Sequence, residues 1–174
     1  MSETTRWLTL AGIVALLVAA GMAVARLTPE EASLPGDAAE ASSRGEVMVY
    51  KTPTCACCGG WIAHMRSAGY RVAIVDMDLA GMMAKKRELG VPVEAASCHT
   101  AIVGGQVVEG HVPAAVVEKM RSERPEAIGV AVPGMPAGSP GMGGDVCDGY
   151  QVYLLEASDR ALPFVRVRAA EPSA

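Results

Sequence analysis

The sequence predicts an α/β domain from Glu46 onward, on three observations. Short β-rich runs alternate with stretches of helical spacing, glycines and prolines fall at the boundaries, and three cysteines crowd between the first run and the first helix. Glu46 to Lys51 (EVMVYK) is apolar and β-rich, and the turn signal Thr52-Pro53-Thr54 closes it. Gly59 to Gly69 sets Trp61, Met65 and Ala68 at helical spacing and stops at a glycine. Arg71 to Met77 (RVAIVDM) reads as a second strand, and Leu79 to Leu89 as a second helix ending on Gly90 with Pro92 beyond it. Thr100 to Val103 and Gln106 to Glu109 flank Gly104-Gly105, a two-residue hairpin signal. Pro113 to Arg124 begins a third helix on a proline and is followed by another, Pro125.

The order β-α-β-α-β-β-α is that of the thioredoxin fold, and a cysteine cluster between the first strand and first helix sits where that fold keeps its redox motif. Ile128 to Gly149 (IGVAVPGMPAGSPGMGGDVCDG) has no periodicity and is dense in Gly and Pro, so it is read as one long loop, a feature that is usually functional or disordered. Tyr150 to Leu155 and Pro163 to Val167 alternate well enough to be two extra C-terminal strands.

The length of 174 residues suits one domain, and the net charge of -4 comes with no Lys/Arg cluster dense enough for a phosphate-binding stripe, which argues against nucleic acid. Before the domain, Trp7 to Val24 runs without a charge, Arg6 precedes it, and Ala23-Val24-Ala25 ends it. Residues 1–25 are therefore read as a secretory signal, with an uncleaved membrane anchor as the alternative, since a bilayer span needs about 20 apolar residues. Residues 26–45 (RLTPEEASLPGDAAEASSRG) are rich in Pro, Ser and acid and read as a flexible tether to the domain at 46–174. On either reading of the apolar run the domain faces outward, in a bacterial periplasm.

Cys55-Ala56-Cys57-Cys58 contains the C-x-x-C spacing with an extra cysteine inside it. The cluster could shuttle electrons, close a disulfide or hold a metal, and a helix N-terminus favours the thiolate that both redox and metal chemistry need. Cys57 weighs toward metal, because a third thiolate would attack and scramble a 55–58 disulfide, whereas soft Cu(I) accepts two or three sulfurs with little geometric demand. In the thioredoxin arrangement the turn before the third strand folds against the redox motif. Here that turn carries Ser97-Cys98-His99, a fourth sulfur and an imidazole, although a lone cysteine is also commonly a small buried hydrophobe.

The remaining soft donors are Met142, Met135 and Cys147 in the long loop. Met48, Met65, Met77, Met82, Met83 and Met120 are read as core filler in a chain with only one Phe. His64 is read as a half-exposed helix residue, while His111, just before a helix start, is balanced between ligand and bystander. Zinc is the rival metal, but no two separated C-x-x-C or Cys/His pairs are present. No Ser/His/Asp set, phosphate loop or paired-carboxylate signature appears.

Three blocks, YKTPTCACCGGW, VPVEAASCHTAIVGGQVVEGHVPA and AVPGMPAGSPGM, together resemble the CopG-type family of bacterial periplasmic copper-resistance proteins. The resemblance implies a thioredoxin-like fold, copper bound through the cysteine cluster and a role in copper homeostasis. Carried over, the metal site would use Cys55, Cys57, Cys58 and Cys98 for one or more copper ions, while Cys147 lies outside the matching blocks. The partners expected are copper ions and other periplasmic copper-handling proteins, with the membrane joining them only if the apolar segment stays uncleaved. The alternative function is a thiol–disulfide or copper oxidoreductase working through Cys55 and Cys58, and a third is a disulfide-stapled binding module. N-terminal sequencing of the protein from periplasmic and membrane fractions is expected to show export, with cleavage near Ala25 if the run is a signal. Full-length protein confined to the cytosol would refute it.

Overall fold

The structure, a computed structural model, describes residues 44–144, 149–157 and 160–168. The expected signal or anchor, the tether up to residue 43 and Cys147 lie outside these residues. The elements are β1 (Glu46–Lys51), α1 (Ala56–Ser67), β2 (Arg71–Asp76), α2 (Leu79–Glu88), β3 (Thr100–Val103), β4 (Gln106–Glu109), α3 (Ala114–Glu123), β5 (Gly129–Ala131), β6 (Tyr150–Glu156) and β7 (Arg160–Val167). The expected order β-α-β-α-β-β-α is present as far as α3, with a 3-10 turn at Val93–Ala95 between α2 and β3.

Among the described residues the strands form one sheet in the order β2-β1-β3-β4-β5-β6-β7. β1 pairs parallel with β2, across the α1 crossover, and antiparallel with β3. The β3–β4 hairpin turns on Gly104-Gly105, as expected.

Two differences from the sequence reading matter for the site. First, α1 begins at Ala56 rather than near Gly59, with Cys55 as its N-cap residue, so the cysteines occupy the first helical turn. Gly59 and Gly60 lower helix propensity and mask that start in the sequence. Second, Ile128 to Gly149 is not one uninterrupted loop: β5 pairs parallel with β4 and antiparallel with β6. Three residues are too few for a periodic signal. This strand joins the C-terminal hairpin to the sheet and leaves the Gly/Pro/Met segment to start at Val132.

Alternation along the strands divides the core between the two faces of the sheet. Ala101, Val103, Val108, Val130 and Leu154 belong to one cluster, with Trp61, Ile62 and Met65 of α1 and Val117 and Met120 of α3. Their neighbours Val107, Ala131 and Leu155 belong to a second, with Val91 and Ala95 from the stretch after α2. The cysteine end of α1 lies at the rim of the larger cluster.

The Gly/Pro/Met segment is seated on α1 by backbone contact. A Cβ on Gly60 would fall 2.6 Å from the Gly141 Cα, and one on Gly141 would fall 2.7 Å from the Gly60 carbonyl carbon, closer than real Cβ atoms come. Gly59, one position earlier, has nothing within 4 Å of its would-be Cβ. The two glycines should therefore respond oppositely. Gly59→Ala should stabilise the protein by about 0.5–1 kcal/mol through helix propensity. Gly60→Ala should destabilise it by about 1–3 kcal/mol through overpacking. Urea denaturation of the two variants checks this, and equal gains in both would mean the segment does not rest on the helix.

Candidate metal and redox centre

The first turn of α1 and the turn before β3 bring four sulfurs together. Cys55, Cys57, Cys58 and Cys98 each present Sγ within 4.8 Å of the others. Cys57 Sγ lies 3.6 Å from Cys55 Sγ and 3.8 Å from Cys98 Sγ, and Cys58 Sγ also lies 3.8 Å from Cys98 Sγ. Cys98 is 40 or more residues from the helix cysteines in sequence and reaches them only through the fold.

Cys55 and Cys58 are joined by a disulfide, with Cys57 and Cys98 free. The expectation that a third cysteine would disfavour this bond is not met. The C-x-x-C spacing over the first helical turn sets the two Cα atoms 5.5 Å apart, within the usual range for a disulfide. Burial raises the Cys98 thiol to about 12, with the Cys57 sulfur adding to the shift, so Cys98 is a thiol at neutral pH until a cation displaces its proton.

The turn that carries Cys98 is fixed from several sides. Ser97 N–H donates to the Glu109 carboxylate at 2.6 Å, and Ser97 Oγ–H donates to the Gly134 carbonyl. A Cβ on Gly110 would meet the Ser97 side chain, so glycine there, at φ +72°, lets the end of β4 pass close enough to deliver His111. Glu109 is itself fully buried, paired with the Lys86 ammonium and accepting Thr100 Oγ1–H at 2.7 Å.

Two histidines extend the centre. One donor atom from each of Cys98, His99 and His111 lies within 4.8 Å of the others. His111 Nδ1 is 2.8 Å from the Pro140 carbonyl, which can only accept, so Nδ1 carries the proton and Nε2 keeps a lone pair. That lone pair faces Cys98 Sγ at 3.0 Å. His99 Nδ1 is 3.3 Å from the same sulfur, and its ring packs against Trp61 with centroids 4.6 Å apart. His99 Nε2 is buried and, among the described residues, has no hydrogen-bond partner. An orphaned buried nitrogen costs about 1–3 kcal/mol and calls for an explanation.

His64 is a part-buried helix residue, as expected, and its Nε2 also accepts the Ala114 N–H at 3.0 Å at the start of α3. Of the loop methionines, Met135 lines a cavity beside the cluster and Met142 is not among the residues lining it. Met142 instead donates its backbone N–H to the Ser139 carbonyl at 2.9 Å, in the turn seated on α1. The same cavity is lined by Met82 and Met83 of α2, which the sequence pattern assigns to the core. Helical spacing alone carries no signal that α2 faces the cysteines.

Two solved structures resemble this chain. One, a copper resistance protein CopG in its form 1, is 42% identical over 71% of this chain and 97% of its own, with a TM-score of 0.65. Its form 2 is 45% identical over 70% of this chain and 97% of its own, with a TM-score of 0.64. The chain belongs to the CopG copper-resistance family. A family model described as a protein of unknown function, DUF411, matches residues 95–142, and no curated protein matches. That matched span of this CopG-family chain holds Cys98, His99, His111 and Met135, the part of the centre that is remote from C-x-x-C.

All three histidines of the chain are held neutral. Burial lowers His99 to about 3, with His111 and Lys86 adding to the shift, and lowers His64 and His111 as well. A lowered folded value means the unfolded chain takes up protons first. Stability is then full above the unfolded value of about 6.5 and is lost as pH falls from there toward 3. In the metal-free protein the unfolding free energy should therefore drop between pH 6.5 and 5, with His99 alone contributing up to about 1.4 kcal/mol per pH unit. Urea titrations across that range should show a shallower slope for His99→Gln, and an unchanged slope would mean His99 is not held neutral.

Proposed function

We propose that this is an exported copper-binding protein of copper homeostasis, holding Cu(I) on Cys55, Cys57, Cys58 and Cys98 in their reduced state. The observation that carries the reading is the convergence of four sulfurs within 4.8 Å, two imidazoles beside them. Clustered thiolates are soft donors that suit Cu(I), and their number leaves room for more than one ion. The unprotonated Nε2 of His111, 3.0 Å from Cys98 Sγ, fits a site whose donors are completed by metal. The relatives' names speak of copper resistance, and the apolar segment after Arg6 supports a periplasmic place of action. Partners of this reading are copper ions and the periplasmic proteins that deliver or receive them.

A second reading is favoured by one observation, the Cys55–Cys58 disulfide. Its reduction to two thiols consumes two electrons and two protons, so the pair could exchange electrons with a partner dithiol or with two copper ions cycling between Cu(I) and Cu(II). Cys57 and Cys98 separate the two readings. Cys57→Ser leaves the C-x-x-C pair intact, and a dithiol oxidoreductase should keep much of its disulfide-reducing activity. A thiolate cluster should lose copper in both Cys57→Ser and Cys98→Ser, by at least the 10–100-fold in affinity that weaker, outer-shell losses typically cost. Copper per protein, measured beside a disulfide-reductase assay on the same anaerobic samples, makes the comparison. Wild-type copper content in both variants, with activity abolished only by changes at Cys55 or Cys58, would hand the function to the redox reading.

A further inference from the structure

The cavity beside the cluster has a volume of about 760 Å³, and its wall includes Cys55, Cys57 and Cys98. Lining it from two separate segments are three methionines, Met82 and Met83 of α2 and Met135 of the Gly/Pro segment. They lie at different depths. Met135 is 54% exposed and Met83 41%, whereas Met82 is 2% exposed. Packing accounts for Met82 but not for the other two, because an exposed methionine forgoes the burial that would make it useful as filler.

The chemistry of the wall suits a soft cation. Thioethers are uncharged and need lose no proton to bind, so they accept Cu(I) weakly at any pH, whereas each thiol must release a proton first. The cation on the wall, Lys86, is paired with the buried carboxylate of Glu109, so its charge is compensated and does not repel an arriving ion. Exposure falls from Met135 and Met83 at the surface to the part-buried sulfurs of Cys57 and Cys98, which bind more strongly, while Met82 is buried deeper than either.

We propose that Met82, Met83 and Met135 form a thioether site for Cu(I) in this cavity, distinct from the cysteine cluster, where an arriving ion is held before the thiolates take it. The site rests on the copper-binding reading above. No electron moves in the transfer: each sulfur–copper bond formed by a cysteine replaces a thioether or carrier bond, and the thiol proton leaves to solvent. Cu(I) remains Cu(I) throughout.

The test uses the full chain labelled with carbon-13 at the methionine methyl groups, titrated anaerobically with Cu(I) supplied as its weak acetonitrile complex. In a variant with Cys55, Cys57, Cys58 and Cys98 all changed to serine, Cu(I) is expected to shift the methyl signals of Met82, Met83 and Met135. The core methionines Met65 and Met120 should stay put. In the chain with its cysteines, Met83→Leu combined with Met135→Leu should slow loading of the cluster several-fold, followed by copper–thiolate absorbance in rapid mixing. Both positions are exposed, so this variant keeps the test valid even if the serine variant does not fold. Shifts spread equally over all methionines, unmoved signals at the three, or unchanged loading in the double variant would overturn the site. Failure of the copper reading looks different: a chain whose cysteines take up no Cu(I) while the three methyl signals still shift would leave the thioether site standing and remove the cluster.

Discussion

The buried ion pair of Lys86 with Glu109 is the interaction on which the centre depends. Lys86 comes from α2, Glu109 from the end of β4, and between them they engage Thr100 at the start of β3 and the backbone of Ser97. Desolvating two charges costs several kcal/mol each, and only close pairing with further hydrogen bonds offsets that. Here both conditions are met, since Glu109 accepts from a lysine, a hydroxyl and a backbone N–H. The consequence is geometric. The turn preceding β3 has no regular structure to hold it, yet the carboxylate of Glu109, two residues before His111, fixes it at Ser97, one residue before Cys98. A pair of this kind is weak evidence for stability but good grounds for a unique arrangement.

From that anchor the centre is assembled by close approaches rather than by a rigid element. Glycine at 110 lets the strand end pass Ser97, and the contact of Gly60 with Gly141 seats the segment whose Pro140 carbonyl sets the tautomer of His111. Trp61 closes the floor: it is fully buried, packs on His99 and donates its indole N–H to the Val112 carbonyl at 2.8 Å. The helix cysteines are thus met by donors from the β3 turn and the end of β4, each with its orientation set by a hydrogen bond or a packed ring.

Much of this was legible in the sequence, and the rest was not for physical reasons. β1, β2 and the hairpin at Gly104-Gly105 follow from apolar runs between turn residues, which are local signals. The meeting of Cys98 with the helix cysteines was legible only because the element order implied a fold that folds its third strand back onto the first. The start of α1 was hidden by Gly59 and Gly60, and β5 by its length of three residues. Contacts such as Gly60 on Gly141, or Met83 facing a cavity instead of a core, are set by the relative placement of segments that carry no mutual signal. Aromatic scarcity made the methionines outside the Gly/Pro segment, Met82 and Met83 among them, look like filler. Exposure separates them, and exposure is a property of the fold.

The disulfide and the four-sulfur cluster are two ways of relieving one electrostatic problem. Four reduced sulfurs within 4.8 Å cannot all ionise at neutral pH without a compensating charge, because each thiolate raises the cost of the next; at Cys98 burial already raises the thiol, and the Cys57 sulfur adds to it. Closing Cys55 onto Cys58 removes two of the four ionisable groups. Binding a cation compensates all of them instead, and makes the thiolate state the favoured one. The two solutions exclude each other, since a sulfur in a disulfide is no longer a thiolate ligand. A bound metal would therefore stabilise the dithiol form by linkage, with the logarithm of the ratio of its free concentration to its dissociation constant, and an oxidant would weaken metal binding through the same two sulfurs. A three-cysteine motif is what makes the competition workable: Cys57 and Cys98 remain free thiols when the disulfide closes, so two of the four donors persist through both states.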